Sequence, residues 1–314
     1  MPAGITGIRD KRVSVIVGSR KVSISNLDKV LWPKEGLTKG ELIEYYAAIS
    51  KFLLPHLSDR PLSLVRFPHG ISQEGFYQKD APQGTPDWVR IAPVWSKDKD
   101  SYINFVLCDN TETLVWMANL GVIEINPWLS RYQTLENPDF AIFDIDPSDG
   151  STWEDVVIVA KMVKQLLDEW KIKGFPKVSG ATGVHIYVPI DPVYDYKESA
   201  AFVQFAATII QGAYPEKVTL ERKVKDRYGH VYIDFPQNAR GQTIATVYGV
   251  RALDGAPVSM PVSWDELEHI TPQSWNIKTA LKRLQEAGDL FVEVLTSRQN
   301  IGPILRTALS GKTI

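Results

Sequence analysis

Two aspartates separated by one residue lie in an apolar stretch near the middle of the 314-residue chain. Asp144 and Asp146 fall within residues 140–146, which predict a strand that Pro147 stops. Side chains alternate along a strand, so both carboxylates would lie close together on one face. Like charges that close repel unless a cation neutralises them, and ligand sets made only of oxygen suit magnesium or manganese. The pair therefore predicts a divalent-metal site, with a water-exposed strand end as the alternative.

A third carboxylate occurs in a similar setting. Asp234 interrupts the otherwise apolar run at 231–235. Three converging carboxylates could hold two cations and clamp an in-line phosphoryl displacement. The pattern leaves open whether the three converge. It also leaves open a sugar-nucleotide transferase, because those enzymes use an Asp-x-Asp motif to bind the metal of a nucleoside diphosphate.

A glycine-containing segment at 179–185 lies between these acidic strands. Its glycines allow the backbone to approach a ligand closely, while Ser179, Thr182 and His185 supply hydroxyls and an imidazole. The alternative is a hairpin turn with a surface histidine. Three arginines flank the Asp234 segment and could bind a triphosphate, since guanidinium binds phosphate oxygens bidentately: Arg227, Arg240 and Arg251.

The elements that must position these residues alternate irregularly, which predicts a mixed α+β fold. Hydrophobic spacing and capping boxes predict helices from Thr38 to just before Pro55, at 113–120, from Ser151 to Trp170, from Asp195 to about Gly212, and at 278–287 with Gly288 as the stop. Alternation predicts strands at 21–24, 60–67, 140–146, around Val178, and at 184–188, 231–235 and 243–250.

Composition excludes several classes of protein. The chain has 44% hydrophobic and 23% charged residues, which is unlike a disordered chain, and no apolar run approaches the roughly 18 residues of a membrane span. Its one cysteine, Cys108, excludes an internal disulfide and favours the cytoplasm.

Charge is distributed unevenly along the chain. The formal net charge is −2, yet residues 1–80 carry 12 Lys and Arg against 8 Asp and Glu. Such a bias could bind a polyanion, but a bias this small favours an ordinary solvated surface. We expect a flexible arm at 1–20, one catalytic domain at 21–300 and a tail at 301–314.

Three motifs occur together in one order and spacing: FDIDP at 143–147, SGxxGxH at 179–185, and IDFPQN at 233–238 followed by YGVR at 248–251. With DKVLWP at 28–33, GLTK at 36–39, RFP at 66–68 and FYQK at 76–79, they closely resemble the polymerase domain of bacterial ligase D, a repair branch of the archaeo-eukaryotic primase superfamily. The resemblance implies a primase-polymerase fold, with a mixed, mainly antiparallel catalytic sheet flanked by helices and an N-terminal α/β portion.

The resemblance also implies roles for individual residues. Asp144, Asp146 and Asp234 would hold two divalent cations, manganese in preference to magnesium, while a primer 3′-hydroxyl attacks a nucleoside triphosphate, either NTP or dNTP. The residues matched to the triphosphate pocket are Ser179, Thr182, His185, Arg227, Gln237 and Arg251. Those matched to the DNA are Lys29 and Lys39 at a 5′-phosphate, with Phe76, Tyr77, Lys79 and Arg66 near the template.

The implied function is a DNA-directed nucleotidyltransferase for end joining at double-strand breaks. Its partners would be DNA ends bearing a 5′-phosphate, a Ku-type end-binding protein and a separate ATP-dependent ligase, with a stand-alone protein in the cytoplasm at the nucleoid. A primase of the same superfamily and a catalytically silent DNA-end-binding module are the alternatives. The chain departs from the family pattern at Thr182 and Val65, where lysines are usual, and at Asn126, where a histidine is common.

Overall fold

A computed structural model describes residues 12–309 and shows an α+β fold. Its strands are β1 (Arg12–Val17), β2 (Arg20–Ser25), β3 (Val30–Trp32), β4 (Leu37–Thr38), β5 (Leu62–Arg66), β6 (Phe76–Gln78), β7 (Arg90–Ser96), β8 (Ser101–Leu107), β9 (Val122–Pro127), β10 (Phe140–Pro147), β11 (Phe175–Val178), β12 (Val184–Pro189), β13 (Val218–Thr219) and β14 (Val231–Ile233). Its helices are α1 (Lys39–Leu57), α2 (Thr111–Asn119), α3 (Trp153–Glu169), α4 (Tyr196–Ala213), α5 (Ala280–Ala287), α6 (Val292–Thr296) and α7 (Gly302–Leu309).

Two five-stranded sheets dominate the architecture. One has the order β11-β12-β10-β14-β13 and is antiparallel except where β13 and β14 run parallel. The other contains β6-β5-β8-β7, with β9 also pairing with β5. Strands β1 and β2 form a separate antiparallel hairpin. The first sheet carries the predicted acidic strands.

Strand β10 lies at the centre of the first sheet and presents different residues to its two faces. Phe143 contacts Phe202 of α4, with ring centroids 6.1 Å apart, so this face packs on helices. The amphipathic helix α3 covers the sheet with a buried stripe that includes Val156, Val163 and Leu167. Because side chains alternate, Asp144 and Asp146 lie on the opposite face.

Local capping explains where the long helices begin. Thr38 and Glu41 form the predicted capping box of α1, and a second box starts α4 at Asp195. The box of α3 is displaced by one residue from the prediction, to Thr152 and Asp155. The hydroxyl of Ser151 instead donates to Ser148 O (2.8 Å) in the preceding turn, which leaves Thr152 as the cap.

Several predicted boundaries were wrong. Helix α1 continues through Pro55 to Leu57. A proline in the last turn removes only one hydrogen bond, to the carbonyl of Lys51 at the helix surface. Residues 234–235 are not part of β14, because a 3₁₀ turn at Phe235–Asn238 follows it directly.

The strand predicted at 243–250 was also wrong. The segment makes only isolated bridges at Thr243 and Val250, and Tyr248 has a φ of 62°. Its backbone instead contacts β9, where Thr246 N donates to Ile125 O (3.0 Å).

The ends of the described chain are more regular than expected. Part of the arm predicted at 1–20 forms β1 and its turn, and α7 occupies most of the predicted tail at 301–314. Alternating Val15, Val22 and Ile24 pack the hairpin on the core, which overrides the polar character of the segment. Residues 1–11 and 310–314 lie outside the described residues. Among residues 12–309, no helix is long and apolar enough to cross a membrane.

Candidate active site

A row of three side chains crosses β10, β12 and β11. Asp144 is the register partner of His185, which is in turn the partner of Lys177. Residues directly opposite on neighbouring strands are close enough to interact. His185 Nε2 lies 3.3 Å from Asp144 Oδ1, and Lys177 Nζ lies 2.8 Å from His185 Nδ1. The sheet thus places an acid, an imidazole and an amine in one line.

The carboxylates of this sheet are held in an unfavourable environment. Burial, together with the nearby charges of Asp146 and Asp234, raises the pKa of Asp144 well above its usual range. Burial and the charge of Asp234 also raise the pKa of Asp146. Asp234 is fixed beside them because its backbone N–H donates to Asp144 O (2.8 Å), while Tyr232 donates its hydroxyl to the Asp234 carboxylate (3.1 Å).

These carboxylates are better suited to binding a divalent cation than to being neutralised by protein groups alone. The buried Oδ1 of Asp144 accepts no hydrogen bond of good geometry from a described residue, although His185 Nε2 lies 3.3 Å away, and its charge is opposed by two neighbouring acids. In the described part of the chain, no three His, Cys, Asp or Glu side chains are placed to close a metal site by themselves. Magnesium-type sites commonly use one or two carboxylates and complete their coordination with substrate phosphates and water. Asp144 and Asp146 match that incomplete kind of site.

The turn between β11 and β12 borders the same site. Ser179 Oγ accepts from the backbone N–H groups of Ala181 (3.1 Å) and Gly183 (3.0 Å), which fixes the loop. Gly180 has a φ of 74°, which favours glycine. A side chain at Gly183 would lie 2.6 Å from the Asp146 carboxylate, so glycine is required for the turn to approach the acids.

An arginine closes the other side of the site. Arg251 donates to Ser179 O (2.9 Å) and to Glu124 of β9 (3.1 Å), which holds its guanidinium between the two sheets. These groups surround a cavity of about 240 Å³. It is lined by Tyr77, Glu124, Asn126, Asp144, Asp146, Ser179, Ala181, Thr182, His185, Gln237, Thr243, Ile244, Ala245 and Arg251.

The structure therefore brings together most of the predicted triphosphate pocket. Gln237 lines the cavity and donates its side-chain amide to Thr243 O (2.7 Å). Arg227 does not line it: its guanidinium lies 3.5 Å over the Tyr232 ring and donates to backbone carbonyls of its own loop, including Glu221 O (2.7 Å). Arg240 pairs with Glu136 at the surface.

Sequence reasoning missed Lys177. This lysine is fully buried, donates to Ser259 Oγ and lies 2.8 Å from His185 Nδ1. Ser259 uses its hydroxyl proton on Val178 O (3.0 Å), so Lys177 must be the donor to Ser259. As an ammonium, Lys177 can only donate hydrogen bonds, so Nδ1 of His185 must be the acceptor. The proton of the neutral imidazole is then on Nε2, on the side of Asp144.

The charge of Lys177 is itself costly. Burial and the nearby Arg251 hold the pKa of Lys177 well below its usual range, while Asp144 opposes that shift. Burial also lowers the pKa of His185, so the imidazole is held neutral. The available signal was a lysine in an apolar strand, two residues before Ser179. Its importance depends on the β11–β12 register, which the sequence does not show.

A second cavity, of about 680 Å³, is lined in part by residues of β1, β2 and β3. Its lining includes Lys29, Lys39 and Arg66, three of the predicted DNA contacts. Lys39 is largely buried, and its Nζ donates to both oxygens of Asn119, at 3.0 and 3.2 Å. Arg66 donates to Leu120 O (3.0 Å), so the guanidinium is fixed at the cavity edge.

The predicted aromatic pair lies between the two cavities. Phe76 and Tyr77 on β6 are 45% and 71% exposed, which is unusual for large aromatic side chains. The Arg66 guanidinium lies 5.3 Å from the Phe76 ring centroid, and Tyr77 lines the smaller cavity. Lys79 is exposed just beyond β6 and lines neither cavity.

The three departures from the family pattern lie at this junction. Thr182 and Asn126 line the smaller cavity, where a lysine and a histidine are usual. Val65 is buried on β5, opposite both Tyr77 and Glu124. The cavity therefore carries less positive charge than the pattern would give it.

Comparison with known proteins identifies a family. Residues 38–291 match the model of the LigD primase-polymerase domain. The chain is 31% identical, over 89% of its length, to the bifunctional non-homologous end joining protein LigD of Bacillus subtilis, and 31% identical, over 98% of its length, to the multifunctional LigD of Pseudomonas aeruginosa. It covers 45% and 37% of those two proteins, so it spans less than half the length of each.

A solved structure agrees with this match. The polymerase domain of Mycobacterium tuberculosis ligase D, determined in complex with DNA, superposes with a TM-score of 0.82 at 26% identity. The alignment covers 88% of this chain and 99% of that domain. The similarity therefore extends over nearly the whole of that polymerase domain.

Proposed function

Because the chain belongs to the LigD primase-polymerase domain family, we propose that it is a DNA-directed nucleotidyltransferase that acts in end joining. A primer 3′-hydroxyl would attack the α-phosphate of a bound NTP or dNTP. The new phosphodiester bond would form as the bond to the β-phosphate breaks and pyrophosphate leaves. Such reactions depend mainly on positioning and on stabilising charge.

One observation carries this proposal: the half-buried pair Asp144 and Asp146 borders a cavity that also presents Arg251 and the 179–185 turn. The carboxylates would hold divalent cations, manganese in preference to magnesium, with Asp234 as the third acid. A bound cation would supply positive charge to the attacking and leaving oxygens. Without it, these carboxylates would repel the triphosphate.

The remaining residues of the cavity would bind and orient the triphosphate. Arg251 offers guanidinium donors, and His185 offers the Nε2 proton that Lys177 maintains. The turn held by Ser179 offers its backbone, while Thr182 and Gln237 lie on the cavity wall. The resemblance matches Arg227 to the triphosphate pocket, so in this proposal the loop that carries Arg227 must turn toward the cavity.

The larger cavity would bind the DNA on the far side of the gap. Lys29 and Lys39 would hold its 5′-phosphate, which lysine does as a point charge. Exposed Phe76 and Tyr77 would stack on template bases, and stacking tolerates every base. Arg66 and Lys79 would contact the template backbone. A Ku-type end-binding protein and a separate ATP-dependent ligase are the partners we propose for the complete joining reaction.

The test is nucleotide incorporation on gapped DNA that carries a downstream 5′-phosphate or 5′-hydroxyl, with NTP or dNTP and with manganese or magnesium. We expect incorporation that the 5′-phosphate enhances and that the Asp144→Ala, Asp146→Ala double variant loses. The matched control is Asp254→Ala, which removes a surface carboxylate whose only ion-pair partner among residues 12–309 is exposed Lys34.

Three outcomes would contradict the proposal. Full incorporation by the double variant in the presence of metal would remove the carboxylates from the mechanism. Tight 5′-phosphate-dependent binding without incorporation would indicate an end-binding module. Synthesis on single-stranded template without a primer would indicate a primase.

A further inference from the structure

The β1–β2 hairpin forms one wall of the larger cavity and lies upstream of the residues that match the family model. Its register pairs Arg12 with Ser25 and Lys21 with Ile16. Val15, Val22 and Ile24 pack on the core from one face of the hairpin. The other face therefore presents polar side chains, and those lining the cavity are Arg12, Lys21, Ser23 and Ser25.

The hairpin is fixed to the body of the protein. The backbone N–H of Ser25 donates to Asn119 Oδ1 (2.9 Å), and the Asn119 amide donates back to Ser23 O (3.3 Å). At the turn, Gly18 has a φ of 55° and the Ser19 N–H donates to Glu112 (3.3 Å). Asn119 also accepts from Lys39, so one side chain joins the hairpin to the proposed phosphate site.

The charge of this cavity has one sign. Among the described residues, the cations that line it are Arg12, Lys21, Lys29, Lys39 and Arg66, and no Asp or Glu lines it. Arg12 and Lys21 are exposed and form no ion pair with a described carboxylate. A volume of about 680 Å³ lies within the range of sites that bind whole small ligands, so the cavity has room for more than one phosphate group.

We propose that Arg12 and Lys21 bind backbone phosphates of the downstream DNA strand, beyond the terminal 5′-phosphate held at Lys29 and Lys39. This proposal rests on the proposed function and adds a segment that the family match does not include. The hairpin would extend the grip on the strand from its terminal phosphate to the adjoining nucleotides. Its contribution would be electrostatic and independent of sequence.

The experiment measures binding, so it does not require turnover. Fluorescence anisotropy would report the affinity of the full chain for gapped duplexes across a series of salt concentrations. The 5′-phosphorylated downstream strand, long enough to stay annealed, would carry either ordinary phosphodiester linkages or uncharged methylphosphonate linkages. The variant is Arg12→Gln, Lys21→Gln. The matched control is Lys278→Gln, Lys282→Gln, which removes the same charge from residues that do not line the cavity.

We expect the hairpin variant to bind the phosphodiester substrate roughly 5- to 10-fold more weakly per charge removed at about 0.1 M salt. The slope of log affinity against log salt should become shallower by about 1 per charge. The methylphosphonate substrate, which keeps only the terminal 5′-phosphate charge on that strand, should show a much smaller loss. The control should keep the parent's affinity and slope, and thermal unfolding should show that both variants remain folded.

Equal slopes for the parent and the hairpin variant would overturn the inference. So would an equal loss on the phosphodiester and methylphosphonate substrates, or an equal loss in the control. These outcomes are separable from failure of the proposed function. Incorporation on gapped DNA with unchanged salt slopes would refute only the hairpin contacts, while altered slopes without incorporation would refute only the polymerase activity.

Discussion

Replacing the buried Lys177 with methionine should slow catalysis without unfolding the protein. Methionine keeps a long unbranched side chain but removes the hydrogen bonds to His185 and Ser259. Removing this buried amine relieves the cost of desolvating its charge, which already lowers the pKa of Lys177. Against this, an unpartnered His185 Nδ1 costs about 1–3 kcal/mol. The free energy of unfolding should therefore stay within about 2 kcal/mol of the parent.

Activity should change much more. Without Lys177, the proton of His185 is no longer confined to Nε2, and the imidazole loses a charge-assisted hydrogen bond worth about 1.5–3 kcal/mol. If that energy is expressed in the transition state, kcat/KM falls roughly 10- to 150-fold. The measurements are single-nucleotide incorporation on gapped DNA and thermal unfolding. Lys177→Gln restores an N–H donor without charge and should recover part of the activity.

A spectroscopic measurement separates this role from a merely structural one. The ¹⁵N NMR signals of His185 should show a proton on Nε2 in the parent and a mixture of tautomers in Lys177→Met. Lys197→Met makes the same chemical change at the surface of α4 and should alter neither activity nor the His185 signals. Parent-level kcat/KM in Lys177→Met, or an unchanged tautomer, would refute the reasoning.

Three further predictions concern stability. Burial and mutual repulsion raise the pKa values of Asp144 and Asp146. Without metal, their negative charge therefore destabilises the fold increasingly as pH rises above the ordinary pKa of aspartate. The double Asn variant should have a higher Tm than the parent at pH 7–8 and should lose any rise in Tm that Mn²⁺ induces. Burial lowers the pKa of His56 to about 3, so the unfolded state takes up the proton first as pH falls. The free energy of unfolding should therefore decrease by about 1.4 kcal/mol per pH unit below about pH 6.5. In His56→Gln, the free energy of unfolding measured in urea should depend less on pH in that window. Asp139→Asn leaves a buried arginine without its carboxylate and should cost about 3–5 kcal/mol in urea unfolding, whereas the exposed Asp254→Asn should cost less than about 1 kcal/mol.

The acidic strands could be predicted because their signal is local. Alternation on β10 is enough to place Asp144 and Asp146 on one face, and it is confirmed by the packing of Phe143 on the opposite side. The capping boxes at Thr38 and Asp195 were equally local and are also confirmed. By contrast, the position of Lys177 depends on the pairing of three strands that are distant in sequence.

The errors have a related cause. The segment 243–250 has the composition of a strand, but its backbone contacts β9 and turns at Tyr248, so tertiary packing overrides its propensity. The second strand of the hairpin was predicted at 21–24, but the first was missed, although residues 12–17 and 20–25 alternate on either side of Gly18. That pattern predicts two strands. Of the polar hairpin residues that face the cavity, Arg12 lies in the segment that was predicted to be a loose arm.

Strand β6 explains how two distant chemical tasks can share one small domain. Its pairing with β5 sets Phe76 opposite Arg66 and Tyr77 opposite Val65. Arg66 lines the larger cavity and Tyr77 the smaller one, so a three-residue strand separates the proposed 5′-phosphate site from the proposed catalytic site. A template strand stacked on these exposed rings would contact both cavities at once. The near-neutral total charge is then no obstacle to DNA binding. Acidic side chains border the catalytic cavity, whereas cations and no carboxylate from residues 12–309 line the larger one.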